Sequence, residues 1–267
     1  MKVDLYNTAY ENYGVDVYAQ IRAETYGEDL GQTSWVTTHE SKDIPLLLEL
    51  GQSSQVLEVG CGSGRYALRV ASQTGSRIVG LDMNGYGIQT ARLLAVSQGL
   101  ESLVQFEECD ASKALPFEDG AFDAVFSNDV MCHLAGRSTV LVELSRVLKP
   151  GGRLLFSDAL IVGSLVTNEE LATRSSIGFY VFSAPGANEE LIEAAGFELL
   201  RTIDRTESVA VLAKRWHDAR ERRKDELSAR EGQTNYEGLQ RFLSCTYQLA
   251  EERRLLRMVY LAQKRKA

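Results

Sequence analysis

The sequence is poor in the residues that build metal centres or disulfide frameworks. Its four cysteines, Cys61, Cys109, Cys132 and Cys245, are scattered without a CxxC pair, and its only histidines are His39, His133 and His217. No metal-ligand spacing appears, so no metal is expected, and the thiols read as small packing residues in a reducing compartment. No stretch approaches the roughly 20 apolar residues of a membrane span. The opening MKVDLYNTAYENYGVD also lacks the apolar core of a signal sequence. A cytoplasmic protein with no membrane partner is expected. Excess positive charge is missing too: Lys and Arg total 29 against 37 Asp and Glu, for a net charge of -8. A phosphate backbone normally wants a basic surface, so nucleic acid is not an expected partner. There is no internal repeat and no low-complexity linker.

What is present is an ordinary globular balance, 44% hydrophobic and 25% charged over 267 residues, enough for one large domain or a core with an appendage. From about Gln55 to Asp158, short β-rich runs alternate with helical patterns, which is how a parallel sheet with crossover helices reads. QVLEVG, SRIVGLD, VQFEECD, FDAVFSN and GRLLFSD are five predicted strands. RYALRVASQ, GIQTARLLAVSQ and RSTVLVELSRVL are helices between them, and LKPGG is read as a turn.

Beyond Asp158, residues 160–185 carry Phe179, Tyr180 and Phe182 without a clear period and are read as a cap segment. NEELIEAAGF predicts a short helix, ELLRTIDRT a sixth strand and LLRMVYLAQK a seventh. Two helices are expected between those last strands. The first, Ser208–Glu231, includes a mixed-sign run RERRKDE read as a solvated face. The second presents Tyr236, Leu239, Phe242, Leu243, Leu249 and Ala250 toward the body of the protein.

QVLEVG runs directly into Cys61-Gly62-Ser63-Gly64 and then a helix, which places backbone amides at a helix N-terminus. Glycine there admits close approach of a ligand. The segment from Gly62 to Ala67 fits G-x-G-x-x-A, and Asp82 closes the second strand where an acidic residue can take a ribose hydroxyl pair. Both features suit a nicotinamide dinucleotide as well as other adenosyl cofactors. The ordered set EVGCGSG, LDM, ECDA, FDAVFSNDVMCHL and ELSRVLKPGGRLLFSD is what decides.

With those five motifs in register, the chain resembles the class I S-adenosylmethionine-dependent methyltransferases, closely over residues 53–160 and more loosely at both ends. The resemblance implies a Rossmann-like α/β fold: a seven-stranded, mostly parallel sheet with an antiparallel last strand, helices on both faces and a small helical cap. It implies S-adenosyl-L-methionine as cofactor. Glu58, Gly60, Gly62 and Gly64 would cradle the methionine end, Asp82 would hold the ribose, and Met83 would lie against the adenine. Asp110 would bind the adenine amino group, with Ala111 giving a backbone contact, and Asn128 would lie beneath the methionine portion. The expected organisation is an N-terminal helical lid over 1–52, a cofactor-binding core over 53–160 and the remainder of the sheet over 161–267. Cap insertions fall at about 161–185 and 208–254.

The Tyr-rich N-terminal stretch contains TYGEDLG, which is similar to a segment of the glycine, sarcosine and dimethylglycine methyltransferases. Tyr10, Tyr13, Tyr18, Tyr26 and Trp35 can either pin an N-terminal helix to the core or form an aromatic lid against a sulfonium or an amine, with Tyr18 and Trp35 favoured as cofactor contacts. His133 is the only histidine expected at the carboxyl edge of the sheet. There it is either a proton acceptor near the reacting centre or a packing residue of the loop. The expected activity is methyl transfer to nitrogen or oxygen of a small, amine-bearing metabolite. Carbon methylation in a natural-product pathway, an NAD-dependent oxidoreductase and a non-catalytic binding protein are the alternatives.

Overall fold

The structure is a computed structural model that describes residues 3–31 and 33–266. Seven strands form one sheet: β1 (Gln55–Val59), β2 (Arg77–Asp82), β3 (Val104–Glu108), β4 (Phe122–Ser127), β5 (Leu148–Val162), β6 (Phe197–Asp204) and β7 (Leu255–Lys264). Their order is β3-β2-β1-β4-β5-β7-β6. Neighbours run parallel except at β7, which is antiparallel to both β5 and β6. All seven predicted strands are therefore present, as is the antiparallel last strand.

Strand alternation explains the two layers of core. Val56 of β1 turns to one face and packs with Ile78, Phe106 and Ala124 against α3 (Thr38–Leu47), α4 (Arg65–Thr74) and α5 (Gly85–Ser97). Leu57 turns to the other, packing with Leu81, Val125 and Leu154 against α6 (Arg137–Val147) and α8 (Ala187–Ala194). Because both faces are covered, the central strands carry continuous apolar runs rather than polar-apolar alternation.

A third apolar cluster lies over the carboxyl edge of the sheet. The N-terminal segment contributes α1 (Tyr6–Glu11) and α2 (Asp16–Tyr26), and the later insertions contribute α7 (Asn168–Arg174), α9 (Thr206–Glu221), α10 (Lys224–Glu231) and α11 (Gln233–Glu251). Val17, Ile21 and Trp35 meet Val209, Leu212 and Trp216 of α9, and Leu239, Phe242 and Leu243 of α11. The Trp35 ring lies 6.0 Å from Trp216 and 6.3 Å from Phe242. Thr167 and Glu170 close a reciprocal cap on α7, which fixes where that helix starts. The predicted core stripe of α11 is buried in full.

Two local expectations change. The stretch 208–231 is not one helix but breaks at Arg222–Arg223, where both arginines reach Glu24 of α2 and the chain turns Leu227 into the cap cluster. The charged run is only partly solvated, because Arg220 is buried against Glu231. LKPGG is a bulge inside β5 rather than a turn before it. Leu148 pairs with Phe122, the next registered pair is Arg153 with Ala124, and Gly151 takes φ +78° between them. Among the described residues, no helix is long and apolar enough to cross a membrane.

Candidate active site

β1 has β2 on one side and β4 on the other, so the connections leave in opposite directions and a crevice opens at the carboxyl edge, where open α/β sheets bind ligands. A cleft of about 1180 Å³ lies there, roofed by the N-terminal segment and by residues 174–180. That exceeds the roughly 300–1,000 Å³ of a site for one drug-sized ligand. It leaves room for a cofactor and a small second molecule.

One end of the cleft is built from backbone. Gly60 and Gly62 take φ +76° and +52° on leaving β1, and a methyl group at Gly62 would overlap the Tyr10 hydroxyl, which itself bonds Thr33 Oγ1 at 2.9 Å. Asp82 ends β2 beside this loop. Its Oδ2 accepts from Gly62 N at 2.8 Å and its Oδ1 from Asn84 N at 2.9 Å, so the carboxylate is fixed with lone pairs left to face the cleft. Burial pushes the Asp82 carboxyl above its ordinary range, while the amides oppose that shift. Met83, 74% exposed, lies along the same wall with Asp110 and Ala111. Asn128 follows β4 and lines the cleft, and its buried Nδ2 has no hydrogen-bond partner.

The other end is built from side chains. Val130 follows Asp129, and a short 3-10 turn at Met131–His133 brings the imidazole up against Tyr6 of α1 and Tyr180. The Tyr6 hydroxyl lies 3.0 Å from His133 Nε2, and His133 Nδ1 lies 3.0 Å from the Phe179 carbonyl oxygen. A carbonyl only accepts, so Nδ1 carries the proton and Nε2 accepts from Tyr6. The Tyr180 ring stacks on His133 at 4.4 Å. Burial lowers the His133 pKa to about 4, so the ring is neutral at pH 7 rather than poised near neutrality. Burial raises the Tyr6 phenol well above its ordinary range and keeps it protonated.

The two ends are tied by Asp129, which holds φ +57°. Its carboxylate accepts from Trp35 N at 2.8 Å, from Ser157 Oγ at 2.6 Å and from Arg257 Nε at 2.8 Å. Arg257 also pairs with Glu40 at 2.8 Å. The lid segment is thereby anchored to the sheet at Trp35, which lines the cleft.

Most of the predicted residues converge on this cleft: Trp35, Gly60, Gly62, Asp82, Met83, Asp110, Ala111, Asn128 and His133 all line it. Three do not. Tyr18 is 7% exposed inside the cap cluster, where its hydroxyl donates to Glu231, because its position on α2 faces α9 and α10 rather than the opening. Glu58 is fully buried on the α4 side of β1, since alternation turns it the same way as Val56. There it accepts from Ala67 N at 3.1 Å and braces the first turn of α4. Gly64 serves packing, because a methyl group there would overlap Phe106 and Ala91. Sequence reasoning missed Tyr6, Asp129 and Arg174. The four-residue spacing of Tyr6 and Tyr10 on one helical face was the available signal for the first.

Comparison with known proteins agrees with this geometry. Residues 57–156 match the family described as a methyltransferase domain. Methyltransferase GfsG of Streptomyces halstedii is 35% identical over 166 residues, covering 60% of this chain and 58% of that protein. The glycine/sarcosine/dimethylglycine N-methyltransferase of Actinopolyspora halophila is 28% identical over 181 residues, 68% of this chain and 32% of the relative. The chain thus spans less than two thirds of the length of these relatives. Among solved structures, the [4+2]-cyclase SpnF superimposes with a TM-score of 0.76 at 22% identity, over 100% of this chain and 98% of that one. Over residues 57–156 the chain is thus similar to a methyltransferase domain, and along its whole length it shares the fold of that solved structure.

Proposed function

We propose that the protein transfers a methyl group from S-adenosylmethionine to nitrogen or oxygen of a small, amine-bearing metabolite. The observation that carries this reading is the Tyr6–His133 pair, a fixed proton acceptor that lines the same cleft as Asp82, Met83 and Asp110. Bound in the cleft, the cofactor supplies an electrophilic methyl group on a sulfonium.

The residues present fit that group. Asp82 is pinned with free lone pairs for a ribose diol, the Gly60–Gly62 turn admits close approach, and Asn128, whose buried Nδ2 has no partner in this chain, lines the cleft. In this reading Asp82 holds the ribose, Met83 lies on the adenine, and Asp110 and Ala111 bind its edge. Gly60, Gly62 and Asn128 hold the methionine portion.

An amine must lose its proton to attack. Neutral His133 Nε2 draws on the Tyr6 hydroxyl, so Tyr6 can take a proton from the acceptor as it passes its own to the imidazole. The N-terminal segment and residues 174–180 act as the roof that excludes water, while the 208–254 insertion, expected as a cap over the cleft, does not line it and instead packs behind the N-terminal helices. The relationship to an N-methyltransferase of glycine and its derivatives supports an amine acceptor.

Calorimetry should show selective binding of S-adenosylmethionine over NAD. An amine and alcohol screen read by release of S-adenosylhomocysteine should then find turnover, with nuclear magnetic resonance of the product locating the new methyl. NAD selectivity, or a product methylated on carbon, overturns the reading.

A further inference from the structure

Among the described residues five arginines are buried, and four of them have a carboxylate. Arg22 pairs with Asp29 at 2.7 Å, Arg137 with Asp158 at 2.6 Å, Arg220 with Glu231, and Arg257 with both Asp129 and Glu40. Arg174, the last residue of α7, is the exception. It is 2% exposed, it has no carboxylate within ion-pair distance among the described residues, and its Nη1 has no hydrogen-bond partner. Aromatic faces surround it instead: its guanidinium carbon is 5.0 Å from the Tyr180 ring centroid, 5.0 Å from Phe242 and 5.7 Å from Trp35.

Ring faces compensate a buried cation only in part, and an unpaired buried charge costs several kcal/mol. The nearby acids are already committed. Asp129 is held by Arg257, Ser157 and the Trp35 amide, and Glu170, one turn earlier on α7, is turned to Arg254 and the helix cap. Arg174 lines the cleft, so its missing counter-charge has a route in. Tyr180 lies between Arg174 and His133, stacked on the imidazole at 4.4 Å.

Resting on the methyltransferase reading, we infer that Arg174 is an anion subsite, and that the acceptor carries a carboxylate or phosphate group which docks on its guanidinium. One ring separates this subsite from the Tyr6–His133 pair, so the charged group and the methylated atom stand only a few bonds apart in the acceptor. The anion also offsets the positive charge that Arg174 and a bound sulfonium together place in one cleft. A neutral amine or alcohol without such a group fails to fill the subsite and is a poor acceptor.

The test is a binding measurement on the full chain loaded with S-adenosylhomocysteine, with acetate and inorganic phosphate titrated separately as probes. One of the two is expected to bind and to raise the melting temperature, and which one does so identifies the acceptor's charged group. Arg174→Met should lose that affinity by about tenfold or more, with Arg174→Lys retaining part of it. Arg174→Gln is a second neutral variant should the Met variant fold poorly. Without ligand, the neutral variants should melt at or above the wild-type temperature, since they remove an unpaired buried charge. An arginine needed only for packing would instead lower it.

Affinity for S-adenosylmethionine should be unchanged in all three variants. Loss of that affinity with anion binding intact would reassign Arg174 to the carboxylate of the cofactor and overturn the proposal, as would failure of both probes to bind. Because anion binding needs no turnover, the two readings fail separately. Anion binding without methyl transfer to any acceptor overturns the proposed activity alone, and methyl transfer without anion binding overturns the subsite alone.

Discussion

The two ends of the cleft are made in different ways. The end around Asp82 is assembled from backbone amides and short turns at the edge of a sheet whose strands are covered on both faces. Its key contact, Asp82 to Gly62, spans 20 residues. The end around His133 is assembled from side chains delivered by separate segments. Tyr6 reaches His133 across 127 residues, Phe179 across 46, and Trp35 is pinned to Asp129 across 94. A site made of backbone recognises one constant ligand and tolerates little change, whereas a site made of cap side chains can be re-lined without disturbing the sheet. In the proposed reaction the cofactor and the acceptor are thus read by different kinds of structure.

The sharpest way to break this division is to damage one end and measure both functions. His133→Ala and Tyr6→Phe should each lower kcat by about 10²–10⁴-fold, the range for general acid–base assistance, with cofactor affinity intact. A change confined to the acceptor's KM would return His133 to positioning alone. The reciprocal damage is Asp82→Ala, which should weaken S-adenosylmethionine binding by about 1–3 kcal/mol and leave the acceptor's KM nearly unchanged. An unaltered dissociation constant for the cofactor would remove Asp82 from the ribose.

Acid should act on the His133 end. Its folded pKa of about 4 lies below the usual 6.5 for an imidazole, so the unfolded chain binds this proton more readily. This contribution to stability is full above pH 6.5 and is lost as pH falls through 6.5 toward 4. Activity should persist to lower pH than an ordinary histidine allows, with its acid limb near pH 4. His133→Gln, followed by chemical denaturation from pH 4 to 7, should show a flatter pH dependence than wild type. A kcat limb at pH 6.5 in the wild type would show the imidazole to be solvated.

The smallest effect belongs to Tyr18. Tyr18→Phe removes its hydrogen bond to Glu231 and should cost about 0.5–1.5 kcal/mol in stability, with kcat, KM and cofactor affinity unchanged. Any loss of cofactor binding would restore it to the lid.

Much of the first end was legible in the sequence, because its signals are local: strand, glycine turn, helix, then an acid at the next strand end. Even there, alternation along β1 sent Glu58 to the α4 face, and the close approach of Phe106 gave Gly64 a packing role. The second end was legible only in part. FDAVFSNDVMCHL placed His133 at the right edge, but its partner Tyr6 lies far away in sequence and looks like any helical tyrosine. Arg174 ends a short capped helix inside a segment with no period, and nothing local marks it as buried. The depressed imidazole pKa was equally hidden, since it depends on packing by Tyr6 and Tyr180 that only the folded chain provides.

The Asp129 junction also couples the roof of the cleft to the far edge of the sheet. Glu40 meets Arg257 across 217 residues, and Asp129 meets it across 128. The cation that neutralises both acids is carried by β7, which lies between β5 and β6. Seating of the roof at Trp35 therefore depends on a strand more than 200 residues away in sequence, and loosening β7 should loosen the roof as well.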